Sequence, residues 1–205
     1  MKAAIDQALA ELDQAFPEGT TDKFAMLLDE LLRWNRRVNL TAIREAEQMI
    51  TGHLLDSLVL RPLICGDTVL DVGTGAGFPG LPLAIAEPGR RFHLVDSGNK
   101  KIQFVAHTVG LLGLANVTAV KARIQDYAPG IGFDTVIARA VAALPRLVEI
   151  AGHHVGEDGV FIAQKGRYPT AELQTLPNSW DAHAVELTVP GLDRGSRHAV
   201  LMRPK

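Results

Sequence analysis

The stretch "LDVGTGAGFPG", Leu70 to Gly80, sets four glycines (Gly73, Gly75, Gly77, Gly80) within eight positions, directly after an apolar run. Glycines at this spacing permit a tight strand-to-helix turn and a close approach of backbone to ligand. Two ligand chemistries compete for it. Gly75-x-Gly77-x-x-Gly80 satisfies the dinucleotide fingerprint, which implies a nicotinamide-dependent oxidoreductase. Asp71-x-Gly73-x-Gly75-x-Gly77 satisfies the acid-and-glycine pattern of S-adenosylmethionine sites. The flanking residues favour the second. Asp71 repels a pyrophosphate but attracts an ammonium or sulfonium group. Phe78 and Pro79 place bulk and a missing N–H where a helix N-terminus would cradle phosphate, and an aromatic ring there suits a neutral or cationic ligand. Asp96 ends the next strand, where an acid accepts bonds from ribose hydroxyls under either reading.

Further candidates follow from position along the chain. Arg139 closes the apolar run "FDTVIAR", at the strand end where open α/β sheets hold ligands. Ile124 and Gln125, in "RIQD" after the third strand, offer an apolar wall and backbone N–H groups for an adenine. Lys100 and Lys101 open a helix, where the dipole disfavours cations, so they are candidates for phosphate contact. Arg33, Arg36 and Arg37 surround Trp34, a basic-aromatic grouping suited to RNA, or else a tryptophan buried in a helical layer with arginines in water. Lys165, Arg167, Arg194, Arg197, Arg203 and Lys205 give the C-terminal third a similar basic tint. His53 and Asp56, one helical turn apart, are positioned to pair with each other and tie a helical layer to a sheet. The seven histidines show no metal spacing, and no metal is expected.

Two kinds of element must position these groups. The first sixty residues are helical in pattern: Ile5, Ala8, Leu9 and Leu12 form one stripe, broken by "FPEG", and Phe24, Leu27, Leu28, Leu31 and Leu32 form a second. A third stretch runs from about Ile50 to Leu60, with Pro62 at its end. From Thr68 onward strands alternate with helices: "TVLDV", "RFHLVD", "NVTAV", "FDTVIAR" and "GVFIAQ". Alternation of this kind specifies a doubly wound, mostly parallel sheet. "AHAVELTVP" and "RHAVLMRPK" follow as two antiparallel strands. Residues 1–62 are thus expected to form a helical extension packed on a core domain of residues 63–205.

Bulk composition narrows the classes. The 205 residues, 47% hydrophobic and 21% charged, suit a globular chain with a substantial core. A net charge of −2 gives no global pull toward nucleic acid, so any RNA surface must be a local patch. The single cysteine, Cys65, excludes an intramolecular disulfide and a cysteine-rich zinc site. The N-terminal stretch has no signal-peptide pattern and no window reaches a membrane span, so a cytoplasmic monomer with no membrane partner is expected.

The stretches "WNRRVNLTAI", "HLLDSL", "LDVGTGAGFPGLPLAI", "LVDSGNKKIQF", "ARA" and "QKG" together resemble the bacterial RsmG family, also called GidB. Near Gly98 and Asn99 the chain departs from the family pattern, which more often carries asparagine or proline there. The resemblance implies a class I S-adenosylmethionine-dependent methyltransferase fold, Rossmann-like. It also implies methyl transfer to N7 of a guanine in the decoding-region loop of 16S ribosomal RNA. The implied partner is 16S rRNA or the small ribosomal subunit, with Arg139 at the cofactor as the catalytic residue. Absent residues agree. Methylation at C5 of a pyrimidine needs a cysteine nucleophile, and Cys65 precedes the first strand. Exocyclic amine methylation usually uses an Asn/Asp-Pro-Pro-aromatic turn, where this chain has "ARAVAALP". Ribose methylation wants a lysine–acid arrangement that these positions do not assemble. Guanine N7 carries an in-plane lone pair and needs only alignment. Any acceptor with a free lone pair passes the same test, and a non-catalytic RNA-binding assembly factor that keeps the pocket stays open.

Overall fold

The computed structural model describes residues 1–192 and 195–205; Arg194, counted above among the basic residues, lies outside them. Strand β1 (Thr68–Val72) is buried along its whole length, as a short apolar run is when layers cover both of its faces. It pairs in parallel with β2 (Arg91–Asp96) on one side and β4 (Phe133–Arg139) on the other. Beyond them lie β3 (Val117–Lys121) and β5 (Val155–Lys165), also parallel. The last two strands, β6 (Trp180–Leu187) and β7 (Arg197–Pro204), are antiparallel to each other, and β7 is antiparallel to β5. The order is β3-β2-β1-β4-β5-β7-β6, the expected mostly parallel sheet with an antiparallel C-terminal edge. Strand order reverses between β1 and β4, so a crevice opens at the C-terminal ends of these two strands.

Alternation along each strand sends neighbouring residues to opposite faces. Val69, Phe92, Leu94 and Ile137 pack on one side with α1 (Lys2–Ala10), α2 (Thr20–Asn35), α5 (Gly80–Ala86) and α6 (Asn99–Leu112). Leu70, Val72, Val136 and Ala138 pack on the other with α7 (Leu144–Ala151). The third helical stretch differs from its sequence pattern. It begins at α3 (Ala46–Met49), widens into a π-helical turn (Ile50–Leu55) and tightens again in α4 (Asp56–Leu58). Single π turns of this kind recur at functional sites, and this one carries Gly52 and His53 to the crevice. A short α8 (Thr170–Gln174), which has no clear periodic signal, precedes β6. Among the described residues no helix is long and apolar enough to cross a membrane.

Candidate functional site

Two carboxylates clip the glycine loop into shape. Asp71 is fully buried at the end of β1, where its Oδ2 accepts bonds from Thr74 Oγ1 at 2.6 Å and from the Gly80 N–H at 2.9 Å. Burial pushes its carboxyl up to about 6, against the opposing bonds from Thr74 and Gly80. Asp96, at the end of β2, accepts the Gly75 N–H at 3.0 Å through Oδ2 and the Gly98 N–H at 2.7 Å through Oδ1. Lys101 Nζ lies 3.6 Å from the same carboxylate. Gly73, Gly75 and Gly77 all adopt positive φ (+66°, +62° and +86°), which only glycine reaches without strain. A Cβ on Gly75 would meet no protein atom closer than 3.9 Å and would project into open cavity instead.

Two cavities meet above this loop and share Gly73, Lys101 and Ala140. The smaller, about 450 Å³, is lined by Asp96, Ile124 and Gln125 at the ends of β2 and β3. The larger, about 550 Å³, is lined by Gly75, Phe78, His53, Asp56, Arg139, Gln164, Lys165 and Arg197. Asp71 and Gly77 line neither. Asp71 lies beneath the loop, and the Gly77 backbone packs against Leu81, so both shape the floor from below. Arg139 leads into Ala140, a non-glycine residue at φ +56°; such strained backbone concentrates at functional sites.

Asp56, which its local spacing pairs with His53, is instead the node of the larger cavity. Its Oδ2 accepts from Arg139 Nη1 at 2.9 Å, its Oδ1 from Arg197 Nε at 2.6 Å, and its backbone carbonyl from Gln164 Nε2 at 2.7 Å. One residue, through its carboxylate and its backbone carbonyl, thus ties α4 to the ends of β4, β5 and β7. His53 bonds Thr41 Oγ1 at 2.8 Å and stacks on Phe78 with ring centroids 4.8 Å apart. Burial, reinforced by the Arg139 charge, lowers His53 to about 4, which keeps the imidazole neutral at pH 7. Phe78 therefore meets a protein ring on one side, and Arg139 lies 5.9 Å from its centroid. Ile124 is steadied from beneath by His154 Nε2, 3.1 Å from its carbonyl oxygen.

The remaining basic candidates separate into paired and open groups. Arg33 is tied to Glu30, which also accepts from Trp34 Nε1 at 2.7 Å and faces His107 Nε2 at 2.7 Å. Arg33 leads the groups that hold the Glu30 carboxyl down at about 2. Trp34 sits edge-on to Phe104, with centroids 5.6 Å apart, so it is a packing residue between α2 and α6. Lys165 donates to Glu172 Oε2 at 2.7 Å and to the Ala142 carbonyl at 2.9 Å. Arg36, Arg37 and Lys100 are exposed and have no ion-pair partner among the described residues.

Comparison with known proteins gives this geometry a family. The family model for rRNA small subunit methyltransferase G (GidB) matches residues 20–200. The chain belongs to that family. A "Ribosomal RNA small subunit methyltransferase G" from Aeromonas salmonicida is 45% identical over 177 residues, covering 86% of this chain and 85% of the relative. One of the same name from Idiomarina loihiensis is 42% identical over 203 residues, covering 98% and 96%. Among solved structures, a ribosomal protein L11 methylase from Lactobacillus delbrueckii superposes with a TM-score of 0.57 at 21% identity, over 74% of this chain and 77% of that one. A SAM-dependent methyltransferase from Aquifex aeolicus gives 0.55 at 18%, over 76% and 92%. These likenesses show the class I methyltransferase fold, and membership in the family does not favour the nicotinamide-dependent reading.

Proposed function

We propose that this protein transfers a methyl group from S-adenosylmethionine to N7 of a guanine in the decoding-region loop of 16S rRNA. In this reading residues 1–62 form a helical extension on a methyltransferase domain of residues 63–205. The observation that carries the reading is the pair of joined cavities at the switch point of the sheet, in a chain of this family. The residues present fit the cofactor. Asp96 offers lone pairs for ribose hydroxyls, and Ile124 and Gln125 wall the smaller cavity for adenine. The open backbone face at Gly75 leaves space at the junction. Arg139 and Arg197 share one carboxylate between them, so one positive charge remains for an anionic group such as the cofactor carboxylate.

When bound, the cofactor supplies a sulfonium methyl; the guanine N7 lone pair forms the new C–N bond, the C–S pair stays on sulfur, and no proton is released. The protein therefore needs no general base. Its work is to hold the base and exclude water while Asp56 keeps both guanidinium groups in place. Among the RNA candidates, Arg36, Arg37 and Lys100 are open cations available to RNA phosphates, with Arg33, Lys101, Lys165 and Arg197 reaching RNA only by exchanging present partners.

The test uses small subunits from cells lacking this gene, purified protein and S-adenosylmethionine labelled in the methyl group. Borohydride reduction and aniline cleavage then cut at N7-methylguanine. A single new cut in the decoding-region loop is expected. Label without a cut moves the acceptor away from N7. Absence of label on small subunits, assembly intermediates and naked 16S RNA alike replaces this function with that of a non-catalytic assembly factor.

A further inference from the structure

We infer that Gln164 reads the Watson–Crick edge of the target guanine and sets the base specificity of the larger cavity. The inference rests on the function proposed above. Gln164 lies next to the end of β5, pairs in register with Arg139 and lines that cavity. Its Nε2 donates to the Asp56 carbonyl at 2.7 Å. A carbonyl oxygen only accepts, so this bond fixes which end of the amide is nitrogen. The other end, Oε1, is buried and has no partner among the described residues. Orphaned buried acceptors are uncommon in folded proteins; Gln164 lines the cavity, and a small swing of its amide brings Oε1 to a ligand donor there.

Chemistry says which donor. Methyl transfer consumes the N7 lone pair, so N7 cannot also serve as the recognition point. The guanine edge away from N7 presents N1–H and the 2-amino group, both donors. Adenine presents a bare N1 and no 2-amino group, and its 6-amino donor sits where guanine carries O6, so an acceptor facing N1 or the 2-position favours guanine over adenine. The other polar side chains on the wall are already engaged or are donors only. Each Asp56 oxygen accepts from an arginine, the Thr74 hydroxyl bonds Asp71, the Thr41 hydroxyl bonds His53, and Arg139, Arg197, Lys101 and Lys165 have no acceptor to offer. His53 Nδ1 is also unpartnered, but its sense depends on the tautomer, whereas that of Gln164 Oε1 is fixed.

The experiment replaces the methylated guanine singly with inosine (no 2-amino group), 2-aminopurine (no N1–H) or adenine in small-subunit RNA. Labelled methyl transfer is then followed with wild-type protein and with Gln164→Leu. Wild type should lose about 10- to 100-fold in kcat/KM on the analogue lacking the donor that is read. Gln164→Leu should lose a similar factor on guanine but little more on that analogue. Equal wild-type rates on guanine, inosine and 2-aminopurine overturn the inference. So does a Gln164→Leu loss of the same size on every RNA, which marks a merely structural role. The wild-type series decides the matter even if the variant does not fold. Failure of wild type to methylate the guanine RNA at all is a different result: it removes the proposed function, and this inference with it.

Discussion

At Asp71 burial raises the carboxyl from 3.8 to about 6, so the folded chain binds more protons than the unfolded chain between those values. Stability therefore falls as pH rises through that window, by about 3 kcal/mol for a shift of roughly two units. His53 works the other way. Its folded value of about 4 lies below the ordinary 6.5, so the unfolded chain binds the extra proton and stability is lost as pH falls from about 6.5 to about 4. The two slopes nearly cancel in the native protein. Asp71→Asn should unmask the histidine: relative to wild type it gains about 3 kcal/mol on going from pH 4 to pH 7, read by urea titration across that range. A flat difference between the two proteins would refute the assignment. Asp56 makes a second residue-level case. Its carboxylate faces two arginines in a buried setting, and Asp56→Ala leaves both unpaired. A loss of about 3–5 kcal/mol in unfolding free energy is expected. A loss below about 1 kcal/mol, the value of an exposed pair, would show that the cations are solvated instead.

Glycines separate by element. A Cβ on Gly80 would sit 2.1 Å from Leu94 Cδ2 and 2.7 Å from Asp71 Oδ2, both fully buried, so neither neighbour can move aside. Gly80→Ala should cost about 1–3 kcal/mol and weaken S-adenosylhomocysteine binding, measured by calorimetry. Gly52, in the π turn, would meet only the end of the half-buried Ile43 side chain at 2.7 Å. Gly52→Ala should change stability by no more than about 0.5 kcal/mol, because alanine suits a helix better than glycine and offsets the contact. Equal effects at the two positions would mean that the loop is not clamped as described. The same contrast explains what the sequence made legible. Local patterns carried the strands, because β1 is an apolar run ending just before a glycine turn, and β2 and β4 are apolar runs closed by a charged residue, Asp96 and Arg139. Local patterns also placed Asp96, Ile124 and Gln125 at strand ends. They could not disclose the partners of Asp56, since Arg139 and Arg197 follow it by 83 and 141 residues. The spacing of His53 and Asp56 suggested a regular helical pair, but the π turn leading into α4 and the depth of Asp56 in the fold give each a different partner. Trp34 was ambiguous for the same reason: only the packing of α2 on α6 settles its ring against Phe104.

For the whole molecule, a net charge of −2 means that attraction to RNA must come from a few open cations rather than from the overall field. Arg33, Lys165, Arg139 and Arg197 already have carboxylate partners, so recruiting them to a phosphate means breaking an ion pair first. Arg36, Arg37 and Lys100 face no such cost. Arg36 and Arg37 also lie close to the crevice. Leu40, which lines the larger cavity, follows Arg37 by three residues, so their Cα atoms are within about 11 Å. RNA held by these arginines is therefore next to the place where a base must be presented. Affinity for small-subunit RNA should fall steeply with salt, and Arg36→Ala, Arg37→Ala and Lys100→Ala should each flatten the log Kd against log salt slope by about one. Arg33→Ala and Lys165→Ala should leave that slope nearly unchanged, while S-adenosylhomocysteine affinity stays constant in all except Lys165→Ala, whose side chain lines the cavity. The reverse pattern, with the slope set by Arg33 and Lys165, would mean that RNA binding opens the Glu30 and Glu172 pairs. The protein would then meet its substrate through a rearranged surface rather than the one its fold presents.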